Sequence, residues 1–187
     1  MHLYDHSTYK TLFTLTNAQI KTLEDLVNSE PSESWDKNTY RQDKKGVHKD
    51  TKSIIFKFIF KDKVKNKTDF NDSDLITRYS IINEIFAKTA EVLNLKKYKV
   101  DRYLLAKLPA GKSIPSHKDN ASIFGFSHRV HVPIITAPEC SFTVRGGLIP
   151  MNKGDAIEIN NLESHSVDNK SSTDRVHLIF DIKEDLS

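Results

Sequence analysis

Residues 98–111 read Tyr98-Lys99-Val100-Asp101-Arg102-Tyr103-Leu104-Leu105-Ala106-Lys107-Leu108-Pro109-Ala110-Gly111, and here the chain changes character. A β-prone apolar run ends in a Pro-Ala-Gly turn. Short runs of the same kind then follow at 129–136, 140–145, 155–160 and 175–182. Turn signals separate them: Pro138, Gly146-Gly147, Asn152-Lys153-Gly154 and Asp168-Asn169. Strands at this spacing specify an antiparallel sandwich or barrel.

Upstream the pattern is different. Residues 53–60 (SIIFKFIF) are β-branched and aromatic, which predicts a buried strand. Asp72 or Ser73 caps a helix expected to run to about Leu93, with Leu75, Ile76, Tyr79, Ile82, Ile85, Phe86 and Leu93 on its apolar face. Thr16-Asn17-Ala18-Gln19 has capping-box spacing ahead of Ile20, Leu23, Leu26 and Val27, and that helix should end near Ser29-Glu30-Pro31. The polar stretch 31–52, with Trp35, Tyr40 and Gly46, reads as a long loop, and such loops often act as lids. The expected fold class is mainly β with flanking helices. The expected organisation is one domain over 1–187. Residues 1–97 supply helices, a lid loop and supporting strands, and 98–187 form the core that carries the site.

Composition narrows the function classes. With 37% hydrophobic and 28% charged residues, the chain is neither disordered nor fibrous. No apolar run approaches the roughly 20 residues that span a bilayer, so no membrane partner is expected. Cys140 is the sole cysteine, which excludes an internal disulfide and a CxxC zinc site. Met1-His2-Leu3-Tyr4-Asp5-His6 has no signal-peptide pattern, so a cytoplasmic location is expected. The net charge is only +3, lysine supplies 22 of the 28 basic residues, and no block of like charge occurs; no nucleic-acid partner is expected. Oligomeric state is left open.

Five of the eight histidines lie between 117 and 177. In His117-Lys118-Asp119, residues at i and i+2 of an extended chain point the same way, so the imidazole and carboxylate can share one ion. His165, after the 155–160 strand, supplies a second imidazole. Two histidines and one carboxylate on one face of a metal form the facial triad of non-haem Fe(II) oxygenases. Ten residues on, Arg175 opens the strand Arg175-Val176-His177-Leu178-Ile179-Phe180-Asp181. Alternation turns Val176, Leu178 and Phe180 toward packing and Arg175, His177 and Ile179 toward a cavity, where a guanidinium can grip a carboxylate. Arg129 and His131 share one face of Arg129-Val130-His131-Val132-Pro133-Ile134.

Simpler roles compete with these. His48-Lys49-Asp50 repeats the His-Lys-Asp tripeptide in the polar loop, where it reads as solvated. Arg175 has Asp174 and Asp181 nearby as surface partners. His131 and His177 read as cavity-wall or hydrogen-bonded core residues, and His128 as exposed. Trp35 and Tyr40 either cover the site or pack ordinarily. Asn160, Asn161 and Asn169 either touch a ligand or serve turns.

Taken in order, Leu108-Pro109-Ala110-Gly111, His117-Lys118-Asp119, the 129–134 strand, Gly154-Asp155, His165-Ser166-Val167-Asp168-Asn169 and the 175–181 strand resemble the double-stranded β-helix (jelly-roll, cupin-like) domain of 2-oxoglutarate-dependent Fe(II) oxygenases. Within that superfamily they look most like the aspartyl/asparaginyl β-hydroxylase branch. The resemblance implies Fe(II) at His117, Asp119 and His165. It implies 2-oxoglutarate held by Arg175, with Arg129 as a second carboxylate contact and His131 and His177 as further candidate contacts. Dioxygen is the implied co-oxidant and hydroxylation of a C–H bond the implied reaction, on an Asp, Asn or Pro side chain or a small molecule. The animal Asp/Asn β-hydroxylase lacks the triad carboxylate, whereas Asp119 is present here, which also argues against halogenation. The competing classes are a cupin-type isomerase or hydrolase using another metal, and a barrel that binds a ligand without catalysis.

Overall fold

Alternation along one strand organises the molecule. β11 (Arg175–Glu184) carries Val176, Leu178, Phe180 and Ile182 on one face, all buried, with Arg175, Ile179 and Asp181 on the other. It pairs antiparallel with β4 (Tyr98–Leu108) on one side and β6 (His128–Ile135) on the other. Around them lie β1 (Tyr9–Thr14), β2 (Lys52–Phe58), β3 (Phe70–Asn71) and β9 (Asp155–Ile159), giving a sheet of order β1-β9-β6-β11-β4-β2-β3. A smaller sheet has the order β5-β10-β7-β8, from β5 (Ser113–His117), β7 (Cys140–Val144), β8 (Gly147–Ile149) and β10 (His165–Asn169). The computed structural model describes residues 4–39, 41–42, 46–58, 70–119 and 127–187.

Two apolar layers result. Between the sheets, Leu108, Ile157 and Ile159 of the larger one meet Ile114, Phe142, Val144, Ile149 and Val167 of the smaller. This is the jelly-roll core. On the outer face of the larger sheet lie α1 (Asn17–Asn28), α2 (Ser73–Arg78) and α3 (Ile81–Val92). Leu23, Val27, Ile82, Ile85 and Phe86 pack there against Phe56, Tyr103, Val130 and Phe180. Each such side chain contributes about 1.5–3 kcal/mol on full burial. The larger sheet is thus buried on both faces around β11, and its cavity face mixes the polar Arg175 and Asp181 with apolar side chains such as Leu104 and Ile179.

The capping box at Thr16 forms as its sequence predicts, with the Thr16 hydroxyl accepting from the Gln19 N–H and the Gln19 side chain accepting from the Thr16 N–H. Gly154 seats this helix. Its φ is +81°, its N–H donates to Pro133 and its carbonyl accepts from Leu15; a Cβ would meet Ile20 at 2.4 Å.

Several expectations need correcting. The helix expected to run from Asp72 or Ser73 to Leu93 is two helices, broken at Tyr79 and Ser80. At the break Tyr79 turns its ring into the core and donates its hydroxyl to Glu30. Residues 113–117 and 165–169, outside the strand runs expected from the sequence, are strands that pair with each other. Residues 9–14, passed over in the sequence, form β1 and pair with β9. Ile59, Phe60 and Tyr40 lie outside the described residues. Trp35 is a core residue, with the Lys107 ammonium 3.9 Å from its ring centroid.

Candidate active site

The register of β5 and β10 sets His117 opposite His165, with ring centroids 4.3 Å apart. Each imidazole is anchored through Nδ1, to the Pro115 carbonyl and the Glu163 carbonyl respectively, both at 2.9 Å. A carbonyl only accepts, so Nδ1 carries the proton and Nε2 keeps its lone pair for a metal. Asp119 follows on the same segment, its backbone N–H donating to the Asn161 carbonyl at 3.1 Å. Its Oδ2 accepts from Arg129 and, at 3.1 Å, from the Asn161 amide, which in turn accepts from the Tyr4 hydroxyl at 2.6 Å. Oδ1 faces His117 Nε2 at 4.0 Å. Ligand atoms of His117, Asp119 and His165 all lie within 4.8 Å of one another. Two imidazoles and a carboxylate, each held by an outer partner, suit Fe(II) and leave room for exogenous ligands.

Electrostatics support that arrangement. Burial pushes the Asp119 carboxyl up, but Arg129, His165 and the Asn161 hydrogen bond outweigh it and hold it well below the usual carboxylate range. Burial holds the His165 imidazole below its ordinary value, which favours the neutral, metal-binding form.

Around these residues is a cavity of about 280 Å³, which Arg175, Arg129, His131, Arg102 and Arg41 also line. Arg175 is 4% exposed, donates to His177 Nδ1 at 2.9 Å, and has no carboxylate of the described residues within ion-pairing distance. Burial brings its pKa down to about 10, so it stays charged at neutral pH. His177 lies behind it, fully buried, and is not among the residues lining the cavity; it orients Arg175. His131 does line the cavity, with ring contacts to Phe142 and His177. Burial, reinforced by Arg175, keeps His131 and His177 far below the ordinary imidazole range.

Arg129 is placed differently from its expected role as a second cosubstrate contact. Its Nε and Nη2 donate to Asp181 at 2.7 and 2.9 Å, and Nη1 donates to Asp119. Two protein carboxylates occupy its fork, so it positions the Asp119 carboxylate. Asp181 also takes Arg102. Alternation could have found both: Asp181 shares a face with Arg175, and Arg102 shares one with Leu104 and Ala106. Arg41 carried no readable signal. His48 borders the cavity too, edge-on to His117 at 5.2 Å, rather than lying in a solvated segment. Among the asparagines, Asn161 supports Asp119, whereas Asn169 pins the turn before Arg175 through the Leu108, Pro109 and Thr173 carbonyls. Cys140 is half-buried and donates to Asn169. A second cluster, Asp5, His6 and Glu158, is already closed: His6 and His128 take the two Glu158 oxygens, and Lys10 takes Asp5. His128 is therefore half-buried, not exposed.

Known structures share this fold. One is the viral collagen prolyl hydroxylase of Paramecium bursaria Chlorella virus-1 in its 2-oxoglutarate complex, 15% identical over 98% of this chain and 99% of that one, with a TM-score of 0.62. Another is HygX from Streptomyces hygroscopicus with nickel, 2-oxoglutarate and hygromycin B, 9% identical over 95% and 82% of the two chains, with a TM-score of 0.52. A 2OG-Fe(II) oxygenase family protein from Burkholderia pseudomallei is 13% identical over 71% and 67%, with a TM-score of 0.54. No curated protein sequence matches. The chain itself is a 2-oxoglutarate-dependent Fe(II) dioxygenase, a class whose cofactor is Fe(II) and whose cosubstrates are 2-oxoglutarate and dioxygen. It belongs to the aspartyl/asparaginyl β-hydroxylase family, whose model matches residues 77–185, more than half of the sequence. Among the described residues no helix is long and apolar enough to cross a membrane.

Proposed function

We propose that His117, Asp119 and His165 hold the Fe(II), that Arg175 binds the distal carboxylate of 2-oxoglutarate, and that the enzyme hydroxylates an aliphatic C–H bond of an Asp, Asn or Pro-type side chain or a small molecule. The observation that carries this reading is Arg175. A buried guanidinium without an acidic partner is costly unless an anion arrives to pair with it, and Arg175 lines the same cavity as the three ligands.

Bound iron would supply the oxidising chemistry, coupling oxidative decarboxylation of 2-oxoglutarate to C–H hydroxylation. The protein's own residues do the rest. The Pro115 and Glu163 carbonyls fix both imidazole tautomers. Arg129 and Asn161 hold Asp119 Oδ2 and so direct Oδ1 inward. His177 sets the angle of the Arg175 fork. Phe142, Leu108, Ile114 and Val167 wall the cavity and exclude water from it. A cytoplasmic setting accords with a single, unpaired cysteine.

The test is an anaerobic titration of metal-free protein with Fe(II) and then 2-oxoglutarate. A weak visible charge-transfer band that needs both additions, and is lost in His165→Ala, supports the assignment. Arg175→Ala should raise the KM for 2-oxoglutarate. A band retained in His165→Ala, or an unchanged KM in Arg175→Ala, overturns the corresponding role.

A further inference from the structure

Arg175 is not the only arginine of the cavity without a carboxylate partner among the described residues. Arg41, from the stretch between α1 and β2, lines the same cavity. Its Nη1 is shielded from solvent and has no hydrogen-bond partner among the described residues. No carboxylate of those residues lies within ion-pairing distance of it.

Arg175 is assigned to the distal carboxylate of 2-oxoglutarate, which leaves Arg41 for a second anion. Among the described residues, the carboxylates that line this cavity, Asp119 and Asp181, are engaged by other arginines. Asp181 is taken by Arg102 and Arg129. Asp119 gives one oxygen to Arg129 and Asn161 and turns the other toward the ligand histidines. That leaves Arg41 without an anionic partner among the described residues. Leu104, Ala106 and Ile179 form an apolar cluster whose members also line the cavity, a surface suited to a hydrocarbon segment. Arg41 also falls outside the residues that match the family model.

We propose that Arg41 anchors a carboxylate of the primary substrate, so that the substrate is an acid whose aliphatic part lies against Leu104 and Ile179. The inference rests on the oxygenase reading, because it assumes that 2-oxoglutarate pairs with Arg175.

Acetate, the minimal carboxylate, is the probe. Protein loaded anaerobically with Mn(II) and 2-oxoglutarate is titrated with acetate and, in parallel, with the neutral isostere acetamide. Broadening of the methyl proton signal by the paramagnetic ion reports binding beside the metal. Loading is measured first, by the bound Mn(II) signal and by 2-oxoglutarate affinity, so failure of the oxygenase reading appears before any acetate is added. The expected result is saturable broadening by acetate, at least about tenfold weaker for acetamide, since a charge-assisted hydrogen bond is at stake. Arg41→Gln should remove the preference for acetate, and Arg41→Lys should restore part of it. Competition by N-acetyl-L-alanine identifies a terminal carboxylate, and competition by N-acetyl-L-aspartate α-amide a side-chain carboxylate. Equal acetate binding in wild type and Arg41→Gln, equal binding of acetate and acetamide, no acetate binding to the loaded protein, or competition by neither acid overturns the proposal.

Discussion

The tripeptide His-Lys-Asp occurs twice, at 48–50 and at 117–119, and the two copies could hardly be treated more differently. In the second copy the histidine closes a strand, bonds a carbonyl through Nδ1, and faces His165 across the sheet. Its aspartate is gripped by Arg129 and Asn161. In the first copy the histidine ends a short 3-10 turn, and among the described residues Asp50 is met only by the Lys112 ammonium at 3.8 Å. Asp50 and His48 join no candidate metal cluster of the described residues. A motif becomes a site through the partners that fix its lone pairs, not through its spelling.

The sharpest way to break this comparison is to delete each aspartate. Asp119→Ala should lower metal affinity and turnover by more than about a hundredfold, whereas Asp50→Ala should change either by about twofold at most. Equal losses, measured by metal titration, would erase the distinction. Next in size is Arg129→Leu, which leaves both copies intact and removes the cation that holds Asp119. Metal affinity should fall about 10- to 100-fold, and stability by about 3 kcal/mol because Asp181 and Asp119 lose a buried partner. Urea denaturation of the metal-free variant checks the second figure.

A smaller effect comes from pH. Burial holds His131, His165 and His177 below the ordinary imidazole range. The unfolded chain takes up their protons near pH 6.5 while the folded one resists, so the metal-free protein should lose stability as pH falls below about 6.5. Asp181, held down by Arg102 and Arg129 against its burial, adds to the loss only below about pH 4. His131→Phe should make the urea midpoint less steep in pH between 7 and 5; an unchanged slope would remove His131 from this account. Last comes His48→Ala. An edge-on ring contact is worth about 1 kcal/mol, so metal affinity should shift by about fivefold or less.

What the sequence disclosed follows the same division. Strands with strong apolar alternation, such as β4 and β11, were legible with their cavity faces, and Arg175 came with them. His117, Asp119 and His165 were legible as residue types, yet the strands that bring two of them together were not. β5 holds one buried apolar residue, Ile114, and β10 buries one, Val167, so pairing rather than propensity makes them strands. The ion network of Arg129, Asp181 and Arg102 was hidden because an arginine on a cavity face looks the same whether it awaits a ligand or is already engaged. Arg41 lay in a stretch with no periodicity at all. β1 and β2 of the first 97 residues are hydrogen-bonded into the sheet that carries Arg175.

One consequence concerns the outer boundary of the smaller sheet. Among the described residues β5 has a strand neighbour on one side only, and it ends on His117. Exposed strand edges invite pairing with other chains, and proline is a common deterrent because it offers no amide hydrogen. Pro115 sits in the middle of β5, and its carbonyl is engaged by the His117 ring. The residue that deters edge pairing thus also carries the carbonyl that anchors the His117 ring. Any residue at 115 would keep that carbonyl, so replacing the proline should restore an amide hydrogen to the strand edge while the anchor of the His117 ring stays in place.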